Sequence, residues 1–374
     1  MWRNRCRERV RQLLAAAGVE INGSRPWDIQ IHNDCFYGRV LAHGSLGLGE
    51  SYMDGWWDCR QPDEFIARLV KARLDRRVTG PAHLLGVIFS RLCNLQARCR
   101  AFEVGQRHYD IGNDLYRLML DSRMIYSCGF WKRAADLEQA QEHKLDLICR
   151  KLLLEPGMRV LDIGCGWGGT ARFAAERYGV SVVGVTVSEE QARLAREACH
   201  GLPVEIRLQD YREVDGSFDR IISIGMFEHV GYKNYRTFME LARRCLAPDG
   251  IFLLHTIGGN SSTTALDPWI ARYIFPNSML PSPRQITAAF EGLFILEDWH
   301  SFGPDYDRTL MSWQANFERH WPELTHRYDQ RFRRMWNYYL LACAGTFRAR
   351  RNQLWQLVLT PNGIPGGYRA PHHA

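Results

Sequence analysis

Long hydrophobic runs are missing from this sequence of 374 residues. No stretch of roughly 18 apolar residues occurs, and this excludes a membrane-spanning helix. The N-terminus carries only a short apolar run before Glu20, so it does not resemble a secretory signal. It instead predicts an amphipathic helix over residues 5–17, with Val10, Leu13 and Leu14 on one face. Internal repeats and low-complexity segments are also absent, as expected for a globular protein.

The eleven cysteines form none of the usual patterns. No C-x-x-C occurs and no Cys/His cluster has zinc spacing, so no metal site is predicted. An odd number of cysteines, spread along the chain, favours free thiols in a reducing cytosol over disulfides. One nucleotide signature is missing as well: the G-x-x-x-x-G-K-[ST] of phosphate loops.

The net charge of +7 is unevenly distributed. Residues 60–107 hold ten Lys/Arg and four Asp/Glu, whereas residues 1–59 hold seven of each sign. Such a surplus can attract phospholipid headgroups or nucleic acid, but a solvated helical face explains it equally well. A helix predicted from Pro81 is both apolar and basic. It either lies on a membrane surface or joins two domains, and the sequence favours neither.

The most informative segment is VLDIGCGWGG, residues 160–169. An apolar run predicts a buried strand, glycines follow at alternate positions, and a helix is predicted from residue 170 to residue 178. Glycines in such a turn let a ligand approach the backbone, and the helix N-terminus offers free N–H groups. The spacing D-x-G-x-G-x-G resembles the first motif of the S-adenosylmethionine-dependent methyltransferases, which implies that S-adenosylmethionine is the ligand.

Strands alternate with helices through the middle of the chain. We predict strands at 159–163, 181–186, 203–208, 218–224 and 250–256, and helices at 169–178, 188–199 and 234–246. This alternation is typical of an α/β fold with a doubly wound parallel sheet, in which ligands bind at the carboxyl ends of the strands. We therefore predict a Rossmann-like methyltransferase domain over residues 108–374. Residues 1–107 are predicted to form a smaller, mainly helical N-terminal module and linker.

Segments outside the glycine motif narrow the family. They include GSLGLGESYMDGWW, HYDIGNDLY, YSCGFW, VGVTVSEEQ, MFEHVG, LLHTIG, GPDYDRTL and YYLLACAGTFRAR. With these segments, the chain resembles the cyclopropane-fatty-acyl-phospholipid synthases, within the cyclopropane and mycolic acid synthase family of methyltransferases. The resemblance covers nearly the whole chain. It implies an enzyme that adds a methylene group from S-adenosylmethionine across a cis double bond of a phospholipid acyl chain.

The chemistry of that reaction sets demands on the site. An alkene has no lone pair and no acidic proton, so methyl transfer leaves a carbocation that water would quench. The site must therefore be dry, and it must hold a base that accepts a proton as the ring closes. In the family this base is a bound bicarbonate. The resemblance assigns the catalytic set to Cys128, Glu228, His255, Tyr306 and the backbone of Ile257.

Cys343 is a weaker catalytic candidate. A cysteine in its segment is sometimes regarded as a family active-site thiol, but a thiolate would trap a carbocation instead of releasing it. Its place on a helical segment beside Tyr338, Tyr339 and Leu341 favours packing.

The resemblance also assigns the methyl-donor site. Tyr126 and Ser127 match a segment that folds over the methionine part, and the backbone of Gly164, Cys165 and Gly166 would contact its amino acid moiety. The ribose would bind near Thr186, Val187 and Gln191, and the adenine near Asp210 and Tyr211. A set of aromatic residues would line an acyl channel, although aromatic residues at such positions are more often core: Trp167, Phe227, Tyr273, Phe275 and Trp313.

Two other functions remain open at this point. A small-molecule N-methyltransferase shares the same core, but it should not need the segment GSLGLGESYMDGWW. A basic nucleic-acid-binding protein would fit the charge surplus, but no RNA-binding motif occurs, and we expect no nucleic acid partner. The family resemblance implies a homodimer. We expect it to bind peripherally to the inner face of the membrane from the cytoplasm, where it meets unsaturated phospholipid.

Overall fold

The computed structural model describes residues 2–74 and 112–373. The chain divides into two compact units. The described residues of the first unit are 2–74, Thr264–Pro276 and Tyr306–Asn352. Those of the second unit are 112–263, Asn277–Asp305 and 353–373. Late segments of the chain thus return to the N-terminal unit.

The described residues contain both α-helices and β-strands, and some helices follow one another directly. The helices are α1 (Trp2–Ala16), α2 (Cys35–His43), α3 (Ser45–Met53), α4 (Pro62–Lys71), α5 (Asn113–Met119), α6 (Leu137–Lys151), α7 (Gly169–Tyr178), α8 (Glu189–Ala198), α9 (Phe227–Val230), α10 (Tyr235–Cys245), α11 (Pro268–Tyr273), α12 (Pro283–Phe290), α13 (Pro304–Leu324) and α14 (Gln330–Arg348). The strands are β1 (Gln30–Ile31), β2 (Trp57–Asp58), β3 (Arg159–Ile163), β4 (Ser181–Thr186), β5 (Val204–Leu208), β6 (Phe218–Ile224), β7 (Leu246–Gly259), β8 (Ile295–Ser301) and β9 (Asn352–Thr360).

The first unit is mainly helical and packs around Trp57, which is fully buried. The Trp57 ring lies 6.4 Å from the Phe36 ring, 5.2 Å from the Phe65 ring and 6.4 Å from the Tyr338 ring. Its indole N–H donates to the carbonyl of Leu48 at 3.1 Å. Because these partners come from α2, α3, α4 and α14, one aromatic core joins the N-terminal helices to a late helix.

Close backbone packing and ion pairs hold α14 against α4. Gly345 of α14 lies where any Cβ would collide with the backbone carbonyl of Asp63. Three residues later, Arg348 forms ion pairs with Asp63 at 2.6 Å and with Asp307 at 2.9 Å. A glycine at the contact point thus lets the two helices approach closely enough for this charge cluster to form.

The second unit contains a seven-stranded sheet in the order β5-β4-β3-β6-β7-β9-β8. The five strands from β5 to β7 run parallel, which confirms the predicted fold class. The pair β8 and β9 is antiparallel and was not predicted from the sequence, so the sheet is mixed.

Successive side chains along each strand pack alternately into two apolar layers, one on each face of the sheet. Val160 and Val182 pack on one face with residues of α6 and α7. Leu161 and Ile163 pack on the other face with residues of α10 and α12. This period of two explains why the central strands carry β-branched or aliphatic residues at almost every position, as expected of strands covered on both sides.

Several element boundaries were predicted closely. β3, β4, β6 and α7 have the predicted bounds, whereas β7 begins four residues earlier and ends three later than predicted. The domain division differs in the C-terminal half, because Thr264–Pro276 and Tyr306–Asn352 pack with the first unit. The predicted helix from Pro81 and the predicted boundary at residue 107 lie outside the described residues.

Within residues 2–74 and 112–373, no helix is long and apolar enough to cross a membrane. None of the nine cysteines in these ranges forms a disulfide.

Candidate active site

The glycine turn after β3 opens the candidate site in the second unit. Gly164, Gly166 and Gly168 have φ angles of 86°, 55° and 82°, in the left-handed region that favours glycine. The backbone N–H groups of Gly164 and Cys165 both donate to the carbonyl of Val185 at 3.0 Å, which fixes the turn against β4. A Cβ on Gly166 would meet nothing within 4 Å. The turn therefore presents bare backbone to open space, as an approaching ligand requires.

Polar residues stand at the carboxyl ends of β4 and β5. The Thr186 hydroxyl lies 3.0 Å from Oε1 of Gln191, and Ser188 caps α8 by accepting from the Gln191 N–H. Asp210 accepts from the N–H of Arg212 at 2.9 Å and from its guanidinium at 3.0 Å. The structure thus places these predicted cofactor residues at the sheet edge where α/β folds bind ligands.

Two neighbouring predictions have different surroundings. Val187 follows β4 directly and is partly exposed. The Tyr211 ring belongs to the apolar core, 5.3 Å from the Phe238 ring. The side chain of Tyr211 therefore packs inward.

The segment from Tyr126 to Cys128 is fixed by α6. The carbonyl of Ser127 accepts from the Gln141 amide at 2.7 Å, and its hydroxyl accepts from Nζ of Lys144 at 3.0 Å. The Tyr126 ring lies 5.1 Å from the Tyr116 ring. Sequence analysis missed Gln141 and Lys144. The available signal was their position on the apolar face of an amphipathic helix, where polar residues need a partner.

Lys144 and Asp162 form a buried, charged layer below the glycine turn. Both side chains are almost completely buried, and Asp162 is the acid of the glycine motif. Burial lowers the pKa of Lys144 to about 8 and raises the pKa of Asp162 to about 7. Within the described part of the chain, one carboxylate oxygen of Asp162 has no hydrogen-bond partner.

Glu228 lies on the short helix α9, directly after β6. Its Oε1 accepts from the N–H of Ile257 at 2.6 Å, and this holds the side chain against the end of β7. The side chain is 4% exposed, and burial raises its pKa to about 7. Its other oxygen, Oε2, has no hydrogen-bond partner among the described residues. The Ile257 N–H that was predicted to contact an anion is used here by Glu228.

His255 lies two residues before Ile257 on β7. Its Nδ1 is 3.2 Å from the amide nitrogen of Gln356 on β9, whereas Nε2 has no partner in the described ranges. Burial lowers the pKa of His255 well below its ordinary value, and the nearby cations Lys144 and Lys151 lower it further. The ring is therefore neutral at physiological pH.

Glu228 and His255 come from adjacent parallel strands. Ile224 pairs with His255 in the register of β6 and β7, and the N–H of Gly225 donates to the His255 carbonyl at 2.9 Å. α9 begins two residues after Gly225, so both buried side chains occupy the same end of the sheet. With Glu228 protonated, its O–H and a His255 N–H are both donors, and such a pair fits an anion.

Cys128 is fully buried, and its thiol lies 3.2 Å from the carbonyl of Gly129. An ionised Cys128 would interact with the charge of Lys144, which places the thiol near the layer described above. Cys128, Glu228, His255 and Ile257 all belong to the second unit.

The remaining catalytic predictions fall in the first unit. The Tyr306 ring stacks on the Phe347 ring at 4.5 Å. Burial raises the pKa of Cys343 to about 12, so this cysteine is a neutral thiol, in keeping with packing. Their catalytic roles stay predictions from the resemblance.

The aromatic residues proposed for an acyl channel do not share one environment. Phe227 is fully buried and stacks on Tyr235 at 4.0 Å, so it is part of the core. Trp167 donates its indole N–H to Asn113 at 3.1 Å. Tyr273, Phe275 and Trp313 belong to the first unit.

Metal chemistry has no candidate in the part of the chain that the structure describes. There, no group of three or more His, Cys, Asp or Glu side chains is arranged to hold a metal ion.

Two known proteins are similar in sequence to this chain over most of its length. A cyclopropane-fatty-acyl-phospholipid synthase of Escherichia coli (strain K12) is 55% identical over 361 residues, covering 96% of this chain and 94% of that protein. A probable fatty acid methyltransferase of Mycobacterium tuberculosis, Rv3720, is 34% identical and covers 86% of this chain and 83% of its own length.

Three solved structures are similar to the structure of this chain. The cyclopropane synthase MmaA2 from Mycobacterium tuberculosis is 35% identical with a TM-score of 0.66, covering 71% of this chain and 99% of that one. The mycolic acid cyclopropane synthase CmaA1, complexed with SAH and CTAB, is 32% identical with a TM-score of 0.65 and the same coverage. Coclaurine N-methyltransferase, at 22% identity and a TM-score of 0.64, shares the fold.

The family model described as mycolic acid cyclopropane synthetase matches residues 96–357. This range includes the glycine turn, Cys128, Glu228 and His255, so the match covers the whole of the site in the second unit. The chain belongs to the mycolic acid cyclopropane synthetase family.

Proposed function

We propose that this protein transfers a methylene group from S-adenosylmethionine to the cis double bond of an unsaturated acyl chain in membrane phospholipid, forming a cyclopropane. The observation that carries the proposal is the similarity to the Escherichia coli synthase over 96% of this chain. A similarity of that extent includes the helical first unit, and not only the methyl-donor core that many methyltransferases have in common.

The glycine turn and its neighbours fit the methyl donor. The bare backbone of Gly164 to Gly166 would hold the amino acid part, and the polar ends of β4 and β5 would bind the ribose and adenine. Ser127, pinned by Gln141 and Lys144, keeps the segment from Tyr126 to Cys128 in place over this site. When bound, S-adenosylmethionine supplies an electrophilic methyl group.

The pair of Glu228 and His255 fits a bound bicarbonate. Each offers one buried polar atom without a partner in the described ranges, Oε2 and Nε2 respectively. Since burial favours the protonated form of Glu228 and the neutral form of His255, the two atoms can both donate hydrogen bonds to an anion. Bicarbonate, when bound, supplies the base that accepts the proton as the ring closes.

The surroundings of this pair suit a carbocation. Cys128 is fully buried, and the carboxyl of Glu228 is held by the Ile257 N–H. Water would convert the carbocation to an alcohol, so burial of the polar groups protects the reaction as well as tuning their protonation.

The test measures acyl chains directly. The purified protein is incubated with S-adenosylmethionine, bicarbonate and vesicles of unsaturated phospholipid, and the chains are analysed by mass spectrometry. We expect each product chain to gain one methylene and lose its double bond. Activity should fall when bicarbonate and carbon dioxide are removed and return when bicarbonate is added. An unchanged lipid would refute the proposal.

The second candidate is a small-molecule N-methyltransferase, favoured by the fold shared with coclaurine N-methyltransferase. Incubation with a benzylisoquinoline amine or phosphoethanolamine, in place of vesicles, separates the two. Methylated amine with unaltered lipid would favour this second function.

We also propose how the enzyme meets its substrate. The charge surplus in residues 60–107 would bind anionic lipid at the inner face of the membrane. A homodimer would present two such surfaces and gain avidity. Light scattering of the purified protein tests the dimer, and a monomer mass would contradict it.

A further inference from the structure

Gln356 is an unexpected residue in the centre of β9. It is fully buried, and its neighbours along the strand are Trp355, Leu357 and Val358, all apolar and buried. A buried amide costs free energy unless its hydrogen bonds are made. The amide nitrogen lies 3.2 Å from Nδ1 of His255, whereas the amide oxygen has no hydrogen-bond partner among the described residues.

The charges around His255 favour the neutral form of its ring. Lys144, Lys151 and His300 all oppose a positive charge on the ring, in addition to burial. Asp298 pairs with Lys151 at 3.0 Å, Asp162 interacts with Lys144, and the Glu228 carboxyl, whose pKa burial raises to about 7, accepts from the Ile257 N–H. A neutral imidazole carries one hydrogen, so only the choice of nitrogen remains.

Gln356 determines that choice. An amide N–H that donates to Nδ1 requires a lone pair there, so the ring hydrogen must be on Nε2. We propose that Gln356 is a positioning residue, which holds His255 as the neutral Nε2–H tautomer. Nε2 has no partner among the described residues, and in this tautomer it becomes a hydrogen-bond donor for the anion. The donor role rests on the proposed function. In the other tautomer, Nε2 would direct a lone pair at the anion and repel it.

Nitrogen-15 NMR of histidine-labelled protein measures the tautomer without any catalysis. The chain has 13 histidines, and the signal lost in His255→Gln identifies the ring in question. We expect wild-type His255 to be protonated on Nε2 and not to titrate between about pH 6 and about pH 8. A wild-type signal from the Nδ1–H tautomer, or from the imidazolium, would overturn the proposal.

Gln356→Glu places a hydrogen-bond acceptor beside Nδ1 of His255, where the wild-type amide places a donor. Its carboxylate would accept from Nδ1–H, so the tautomer should switch or the ring should become protonated on both nitrogens. Gln356→Met, which has a similar size and no hydrogen bond, should give a mixture of both tautomers. It keeps the test valid if the Glu variant misfolds.

The matched control is Gln353→Glu. Gln353 is buried on the same strand, and because it lies three residues from Gln356, its side chain points to the other face of the sheet. Its His255 signal should match wild type. An unaltered His255 signal in both Gln356 variants would overturn the proposal.

Kinetic measurements then test whether His255 donates a hydrogen bond to bicarbonate. In Gln356→Met we expect the KM for bicarbonate to rise in inverse proportion to the fraction of Nε2–H tautomer that remains, about twofold for an even mixture, while the KM for S-adenosylmethionine stays unchanged. A shifted tautomer with an unaltered bicarbonate KM would overturn the donor role. Failure of the proposed function has a different signature: wild-type activity would not depend on bicarbonate, and the tautomer would still be read from the NMR signal.

Discussion

At the scale of single residues, burial explains most of the chemistry. Glu228, Asp162 and Lys144 are all almost inaccessible, and each has its pKa moved toward neutrality. In all three, burial penalises the charged form more than the neighbouring charges favour it. A site of this kind can change protonation near pH 7, which surface carboxylates and lysines cannot do.

Glu228→Gln should separate activity from stability. We expect it to lose most cyclopropane formation, because an amide cannot exchange a proton, while S-adenosylmethionine still binds with wild-type affinity. The variant should also be more stable than wild type at pH 8. The ordinary pKa of 4.5 becomes about 7 in the folded protein. Ionisation therefore costs the folded state roughly 3 kcal/mol, a cost that is absent below pH 4.5 and grows as the pH rises toward 7.

Urea unfolding at several pH values measures this difference, and calorimetry measures binding of the methyl donor. Because a glutamine keeps the oxygen that accepts from the Ile257 N–H, Glu228→Ala serves as the contrast. The alanine variant should lose both the activity and this contact. A Gln variant that no longer binds S-adenosylmethionine would mean that Glu228 serves the donor site instead.

At the scale of elements, the parallel strands followed from the sequence. β3, β4 and β6 are short apolar runs bounded by glycine or polar turns, so pattern alone located their ends. β8 escaped prediction because its sequence, ILEDWHS, mixes charged and apolar residues and is partly exposed along its length. Its partner β9 lies more than 50 residues away in sequence, and long-range antiparallel pairing leaves no local signal.

The candidate site was predictable in part for the same reason. Glu228 and His255 follow strands whose positions were clear, so the resemblance could be transferred to the correct sheet edge. Lys144 and Gln356 could not be found this way. They contact Ser127 and His255, 17 and 101 residues away in sequence, which only the folded chain brings together.

The turn between β3 and α7 gives a prediction at this scale. Gly166→Ala should destabilise the protein by about 1 kcal/mol, because an alanine at a φ of 55° is strained but meets no neighbour. Its affinity for S-adenosylmethionine should fall strongly, since the new methyl group occupies the open space above the backbone. Denaturant unfolding and calorimetric titration measure the two effects.

Gly169→Ala is the matched control three residues later. Its Cβ would collide with the Arg123 carbonyl and with Ile125. We expect a loss of roughly 2 kcal/mol or more in stability from overpacking. Equal losses of stability in the two variants would contradict the role given to Gly166 as a position that faces open space and a ligand.

At the scale of the whole molecule, the two units differ in their chemistry. The second unit carries the glycine turn and the Glu228–His255 pair on a parallel sheet. The first unit is helical and aromatic, and it recruits Thr264–Pro276 and Tyr306–Asn352 from late in the chain. A methyl donor is available in solution, whereas a phospholipid acyl chain is not. The proposed substrate therefore requires a surface of the protein that binds the membrane.

Electrostatic attraction from residues 60–107 gives the corresponding prediction. The double substitution Arg98→Gln and Arg100→Gln should weaken binding to anionic vesicles about 30-fold, on the basis of about 1 kcal/mol for each basic residue near the surface. Co-sedimentation with vesicles of mixed anionic and neutral phospholipid measures this binding.

The control is the double substitution Arg177→Gln and Arg193→Gln. These two exposed arginines belong to the second unit, and their replacement should leave binding unaltered. Because salt screens such attraction, wild-type binding should fall between low and high ionic strength. Equal effects of the two double variants, or binding that is insensitive to salt, would show that the basic segment does not carry the membrane contact.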